Sequence, residues 1–491
     1  MYQNKLFIAP ALVWKYCAMA CFLLCTTRSA AQLHDNNWIF GISNQAYNVP
    51  NGVIMHFEQG YPAFSVENIR QYYSAYCAIC SDSVGNLLFH TNGRAIRNRL
   101  HQVMENGDTI NPGADWLEYP FGYPSPTGGF ALPAPGLNNV YYLIHTSGNN
   151  GPVVEPFFPV VYTSTIDMNA NNGLGKVTSK NDTLAVGDFP SPVAIKHGNG
   201  RDWWLILGDY EANKYQTFLL DPSGIHFMFD QVITPNAFTN DSGHHLASPD
   251  GRFFVNNDSK YGLWIYDFDR CSGLLGNPRV LPYQSPYFYT AVNAFSKDTR
   301  FLYVSTHLVV YQLDMLTIDE PEIAIDTIAR YEYGASPAPP SYTWFLTPQL
   351  AADGKIYYGT FSITNTFHVL NRPEMPLLAC DHSQRGLITP HRRDQTDYHF
   401  PTYTLGRALD APCDTLPFSG AAEERFRHVP WEGERPVVRD PSEVKVLKLP
   451  DAFHLPEPAG GMPQEDLLSP VHRQEKAIID QQQKLKNDVP E

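Results

Sequence analysis

Leu350-Ala351-Ala352-Asp353-Gly354-Lys355-Ile356-Tyr357-Tyr358-Gly359 carries the clearest turn signal in the chain. A short apolar run meets Asp-Gly and leaves as an aromatic run. Asp-Gly accepts the positive φ of a tight hairpin, and the flanking residues suit a pleated, half-buried surface. One copy predicts one hairpin, but the chain repeats it. Ser81-Asp82-Ser83-Val84-Gly85-Asn86 leads into Leu87-Leu88-Phe89-His90-Thr91. Pro135-Gly136-Leu137-Asn138-Asn139 leads into Val140-Tyr141-Tyr142-Leu143-Ile144. The same step recurs at His197-Gly198-Asn199-Gly200-Arg201, Ser248-Pro249-Asp250-Gly251-Arg252 and Ser296-Lys297-Asp298-Thr299-Arg300. The copies lie roughly 50 to 60 residues apart, a period that suits the four-stranded blades of a propeller.

The rest of each unit agrees. Third strands follow at residues 263–268, 308–314 and 366–370, and fourth strands at 279–281 and 323–328. No long stretch of this region carries a 3.6-residue apolar period, so little helix is expected. Six turns mark six blades. The strands at Trp38 and Val53 are left over, as is the run His399-Phe400-Pro401-Thr402-Tyr403-Thr404-Leu405. A blade shared between the two ends closes the ring and leaves no open sheet edge. The expected fold is all-β, a β-propeller of seven four-stranded blades, with six and eight as alternatives.

Composition bounds the function. The 491 residues carry a formal net charge of -15, and only 17% of them are charged. Such a surface repels phosphate backbones, and no dense basic run offsets it, so nucleic acid is not expected as a partner. The first residues read as an export signal. Lys5 gives a positive start, residues 16–25 (YCAMACFLLC) form an apolar core too short to span a bilayer, and Ser29-Ala30-Ala31 offers small residues for cleavage. No later segment is apolar for long enough to be transmembrane. The expected organisation is a signal peptide over 1–31, a propeller over 32–417 and a charged, Pro-rich disordered tail over 418–491. Five cysteines follow the signal: Cys77, Cys80, Cys271, Cys380 and Cys413. An odd number leaves at least one unpaired within the chain, while export permits one or two bridges.

Several blocks in order carry a family resemblance. They are Asn37-Trp38-Ile39-Phe40-Gly41, the 81–93 hairpin, Ile166-Asp167-Met168, Gly173-Leu174-Gly175-Lys176-Val177-Thr178, Asp267-Phe268-Asp269-Arg270-Cys271-Ser272-Gly273 and Pro348-Gln349 before the opening stretch. Over residues 37–414 the chain resembles the secreted β-propeller proteins of Bacteroidota, with WD-like and YVTN-like repeats, many of which end in a type IX secretion sorting domain. The resemblance implies an exported or surface-held propeller without a settled activity. The chain departs from the pattern after Cys413-Asp414-Thr415, where the tail has neither the strands nor the aromatics of a sorting domain.

Candidate chemistry is sparse. Asp167-Met168-Asn169-Ala170-Asn171-Asn172-Gly173 resembles a calcium loop, but its glycine falls one place late and no glutamate closes it, so it reads as a strand connection. Cys77 and Cys80 have the spacing of half a zinc site, without a second pair to complete it. Asp241, His244 and His245 precede a turn near an inner strand, and they are the candidate ligand-binding residues of the central channel. Adjacent strand positions face opposite sides, so the two imidazoles are not expected to converge. His391-Arg392-Arg393-Asp394 reads as a small charged loop, solvated or anion-binding. Trp203-Trp204 and Tyr357-Tyr358 suit sugar stacking, but blade cores need the same residues. No catalytic set, metal site or cofactor motif emerges. The expected function is a non-catalytic propeller that binds a protein or glycan at the cell surface or outside the cell, with the periplasm as an alternative location. The alternative function is a propeller enzyme of lactonase, lyase or glycoside hydrolase type with a polar site at the channel.

Overall fold

The computed structural model describes residues 33–41, 52–57, 61–73, 75–113, 116–117, 119, 122–123, 129–148, 158–232, 244–258, 261–282, 292–332, 343–360, 363–394, 396–409, 411–413 and 444–448. Their strands form seven separate sheets, which are the seven blades, each antiparallel through its consecutive strands. Blade 1 holds β1 (Asn37–Phe40), β2 (Gly52–Phe57) and β3 (Pro62–Glu67). Blade 2 holds β4 (Ala78–Ser81), β5 (Leu87–Thr91) and β6 (Ile96–Asn98). Blade 3 holds β7 (Gly129–Pro133), β8 (Val140–Ser147), β9 (Val160–Asp167) and β10 (Lys176–Val186). Blade 4 holds β11 (Val193–Lys196), β12 (Trp203–Asp209), β13 (Lys214–Asp221) and β14 (Gly224–Gln231). Blade 5 holds β15 (His244–Ala247), β16 (Phe253–Asp258), β17 (Gly262–Phe268) and β18 (Leu275–Leu281). Blade 6 holds β19 (Val292–Phe295), β20 (Phe301–Ser305), β21 (Val309–Asp314) and β22 (Ile325–Arg330). Blade 7 holds β23 (Phe345–Leu350), β24 (Ile356–Thr360), β25 (Thr364–Leu370) and β26 (His382–Arg393). Each blade is a meander. The first strands of blades 2 and 3, and of blades 4 to 7 in succession, touch one another, so they line the axis. Among the described residues helix is confined to short turns.

All six turn motifs join the first to the second strand of blades 2 to 7, as the repeat predicts. Their chemistry is shared. The Ser248 hydroxyl donates to Asp250 Oδ1 (2.7 Å) and accepts from Phe253 N (2.9 Å). Ser296 repeats both bonds with Asp298 (2.6 Å) and Phe301 N (2.9 Å). Asp353 Oδ1 accepts from Lys355 N (3.0 Å), and Gly354 sits at φ 84°, where a glycine avoids the Cβ clash.

Among the described residues blades 1 and 2 have three strands where four were expected. The ring also closes differently from expectation. The side chain of Asn37, at the start of β1, donates to Ser81 Oγ at the end of β4 (2.8 Å), while Cys77, just before β4, reaches Ile39 O (3.7 Å). β1 therefore runs antiparallel to β4. By contrast, β15 and β19 run parallel: Asn293 Nδ2 donates to His244 O at their starts, and Asp250 N to Thr299 Oγ1 past their ends. β1 thus has the direction of a second strand. Its axial side is occupied by residues 396–409, a strap that leaves blade 7 without forming a strand. The strap does meet the strands at Trp38 and Val53 as expected, but through side chains. Tyr398 stacks on Trp38 (4.4 Å between ring centroids), Phe400 follows (6.3 Å), and the Tyr398 hydroxyl donates to Ile39 O (3.2 Å). Pro401 has no N–H to give a ladder. On the other side of blade 1, Trp38 and Phe40 pack on Tyr357 and Phe367 of blade 7.

Residues 444–448, expected within a structureless tail, include a further strand, β27 (Lys445–Val446), which pairs in parallel with β18. The export segment, residues 1–31, lies outside the described residues. Among those described, no helix is long and apolar enough to cross a membrane.

Candidate functional site

The strap fills the axis. His399 Nε2 meets Pro192 O before β11 (3.0 Å), and the Tyr403 hydroxyl donates to Ala131 O of β7 (2.6 Å). Lys196 Nζ, at the end of β11, donates to Tyr403 O (3.2 Å). Tyr398, His399 and Tyr403 are buried. The strap then leaves on the turn end of blades 4 and 5, where Ala408 N donates to Gly198 O (2.8 Å) and Cys413 is joined to Cys271 by a disulfide. Cys77, Cys80 and Cys380 are free and buried.

The channel candidates sit against this strap. His244 and His245 open β15 and face opposite sides, as the strand geometry predicts. His245 Nδ1 bonds Ser191 O (2.8 Å) and its ring lies among Tyr210, Tyr215 and Phe254. His244 faces the strap, its ring 6.1 Å from that of His399. Burial pushes the three imidazoles down, His244 to about 3 and His245 and His399 to about 4, so each is neutral at pH 7. Asp241 lies outside the described residues.

Other candidates resolve into structure. The Asp167 carboxylate is turned onto its own loop, taking Asn169 N and Asn169 Nδ2 (both 2.9 Å). Cys77 and Cys80 belong to different core clusters, as do Trp203 and Trp204, and Tyr357 and Tyr358. Among the described residues no group of three or more His, Cys, Asp or Glu is placed to hold a metal. The segment 391–394 is not a charged loop. His391, Arg392 and Arg393 complete β26, and Arg393 and Asp394 are buried. The Arg393 guanidinium lies over Phe367 (4.0 Å) and donates to Thr360 Oγ1 (3.2 Å), while the Tyr72 hydroxyl donates to Asp394. The long Arg393 stem reaches into the blade, and β25 gives it partners there.

What sequence reading missed is a buried polar tier. The second strand of every repeated blade ends in polar residues: His90-Thr91, His145-Thr146-Ser147, Asp209, Asn256-Asn257-Asp258, Ser305 and Thr360, all buried. A buried polar group is costly unless bonded. In blades 2 to 4 the tier holds the connection leading into the same blade. The Tyr73 hydroxyl meets His90 Nδ1, His145 Nδ1 donates to Asn111 Oδ1 (2.5 Å), and Asp209 Oδ1 accepts from Asp188 N (3.5 Å). In blade 5, Asn257 Nδ2 donates to Asn293 Oδ1 of the next blade (2.6 Å). The signal was present in the sequence as a polar end on each aromatic run.

One part of the tier reaches the surface. Glu67, at the end of β3, accepts from His101 Nε2 (3.0 Å), and His101 Nδ1 meets His90 Nε2 (2.9 Å). An ionised carboxylate only accepts, so His101 carries its proton on Nε2. The contacts form a continuous chain from buried Tyr73 to half-exposed Glu67. Burial alone raises the Glu67 pKa, but the bonds from His101 and Ser65 prevail and hold it below the usual carboxylate range. Tyr73 itself is fully buried.

The chain matches no protein-family model and no curated protein sequence. It is similar in fold to solved structures. One is a "putative 6-phosphogluconolactonase" from Bacteroides uniformis, at 12% identity over 73% of this chain and 98% of that one, with a TM-score of 0.44. Another is the same kind of protein from Bacteroides fragilis, at 11% identity over 73% and 97%, with a TM-score of 0.42. A third is the WD40 propeller domain of Doa1, at 10% identity over 67% and 87%, with a TM-score of 0.36. These likenesses concern architecture and favour neither a binding nor an enzymatic reading.

Proposed function

We propose that this chain is an exported, non-catalytic β-propeller that binds a protein or glycan partner at the cell surface. The observation that carries the reading is the strap. It occupies the axis with Tyr398, His399 and Tyr403, so the side chains around it are spent on the chain's own packing. Binding then falls to the faces of the ring. The polar tier supports the end opposite the turns, because it anchors the connections between blades, and loops on a rigid scaffold are where recognition concentrates. The Cys271–Cys413 disulfide supports export, since such bonds persist in oxidising compartments.

The test is a metal analysis together with a glycan-array and surface-protein binding screen on the mature chain, run beside lactone and glycan turnover assays. Saturable binding without turnover is the expected result. Turnover of a lactone or glycan, or a tightly held metal, overturns the non-catalytic reading. Mass analysis of the secreted protein tests export: a mature chain beginning at Gln32 is expected, and retention of residues 1–31 contradicts it.

A further inference from the structure

Among the described residues blade 5 alone carries a fifth strand, and that strand comes from far along the chain. β27 pairs in parallel with β18, Arg279 opposite Lys445 and Val280 opposite Val446. Leu447 N donates to Val280 O (2.8 Å), and Lys448 O accepts from Ile323 N (3.2 Å). Lys445 Nζ caps two carbonyls, Ile318 O (3.2 Å) and Glu320 O (3.1 Å). Leu447 is buried at 3% exposure between β18 and Ile323, while Val446 stays 58% exposed. The site thus reads backbone along β18, a lysine at the carbonyls after β21, and a leucine two residues later. In sequence, these carbonyls lie in an acidic stretch that includes Asp319, Glu320 and Glu322. Arg279 is held by Asp319 (2.8 Å) and Asp267 (2.8 Å), which fixes the edge and spends its charge within the ring.

We infer that the outer edge of β18, with the carbonyls of Ile318 and Glu320 and the seat of Leu447, is a strand-acceptor site for an extended peptide bearing a lysine two residues before a leucine, and that residues 444–448 are its built-in competitor. Strand addition at a sheet edge is an established way to recognise extended segments, with the ladder giving affinity and alternate side chains giving specificity. Two paired residues make a weak contact by themselves. Tethering offsets this, because a linked ligand meets its site at high effective concentration. The tether is residues 414–443, which fully extended reaches roughly 100 Å. It is long enough to let the segment leave without strain, so a partner segment of the same chemistry displaces it. This surface lies on the rim of the ring and does not depend on the reading proposed above.

The experiment uses the full mature chain with Leu447→Asp, which removes the buried anchor from the competitor and leaves the acceptor intact. The probe is a labelled synthetic peptide of residues 441–450, followed by fluorescence anisotropy. Binding to the variant at least about tenfold tighter than to the wild-type chain is expected, because the tethered copy no longer competes. No binding to the variant overturns the inference, and so does equal binding to both chains. Lys445→Glu is a second release variant and is expected to behave like the first. Hydrogen exchange gives an independent reading: the Ile323 amide is expected to lose protection in the Leu447→Asp chain and regain it with peptide. An unchanged Ile323 amide in that variant counts against the site. Light scattering on the wild-type chain separates exchange between copies from capture of another partner, and a concentration-dependent dimer abolished by Leu447→Asp would assign the site to a second copy and overturn the assignment to a different partner.

Discussion

The two ends of each blade are built on opposite principles. At the turn end, each turn motif is held largely by local chemistry. Ser248 and Asp250, or Ser296 and Asp298, satisfy the backbone within a few residues of themselves. At the connection end, polar side chains are buried and their partners lie far away in sequence. His145 finds Asn111 at a separation of 34 residues, and Asn257 finds Asn293 at 36. Local turns are replaceable one at a time. A buried tier is exposed to any change in protonation or size, because each unmade bond is left in a place water does not reach.

Acid is therefore the largest lever on the difference. Burial pushes His145, His244 and His368 down to about 3 and His245, His307, His382 and His399 down to about 4. A histidine with a depressed folded pKa contributes stability that is full above its unfolded value near 6.5 and lost as pH falls toward the folded one. Three carboxyls oppose this: burial raises Asp397 to about 7 and Asp35 and Asp188 to about 6, so their contribution is full below about 3.8 and fades as pH rises through 6 to 7. Seven groups against three give a net loss in acid, on the order of 5 kcal/mol or more between pH 7 and pH 4.5. Urea midpoints at the two pH values measure it, and an equal or higher midpoint at pH 4.5 would refute the account.

Cutting the tie between the ends comes next. The strap runs from the tier to the turn end, where Cys413 is bound to Cys271 across 142 residues. Cys413→Ser is expected to cost about 4 kcal/mol by freeing so long a loop in the unfolded chain. A melting temperature unchanged from that of the oxidised wild type would show that the aromatic packing alone fixes the strap.

Within the tier, His145→Ala leaves Asn111 Oδ1 and Ser164 Oγ without their partner and opens a void, at an expected cost of about 3 kcal/mol. At the turn end, Gly354→Ala meets no neighbour within 4 Å and pays only for φ 84°, about 1 kcal/mol. Denaturant titrations of the two variants test the comparison directly. If the glycine change costs as much as the histidine change, the contrast between local and long-range ends is wrong.

Much of the ring was legible because its signal is short-range and repeated. The six turns, their aromatic second strands and the blade number follow from residues that bond to near neighbours. Trp203-Trp204 and Tyr357-Tyr358 are core, as their place on strands implies, since adjacent strand positions face opposite sides and in a blade both sides meet neighbouring sheets. Arg393 was misread because a charge cluster resembles a surface loop, and only the neighbouring strands show that Thr360, Thr366 and Phe367 receive it. The tier left a trace in the polar ends of the strands, but the sequence does not say which connection each residue holds.

The sequence by itself determined the blades, because each turn and strand pairing is settled by hydrogen bonds and side-chain alternation within a few dozen residues. The tertiary structure alone decided how the ring closes, what fills its axis and where residues 444–448 settle. Tyr398 meets Ile39 across 359 residues, Tyr403 meets Ala131 across 272, and Lys445 meets Ile318 across 127. Contacts so distant leave no periodic mark on the chain. They depend on the ring already standing, which brings a buried tryptophan, the carbonyls of Ile318 and Glu320 and the outer edge of β18 to the places where these segments arrive.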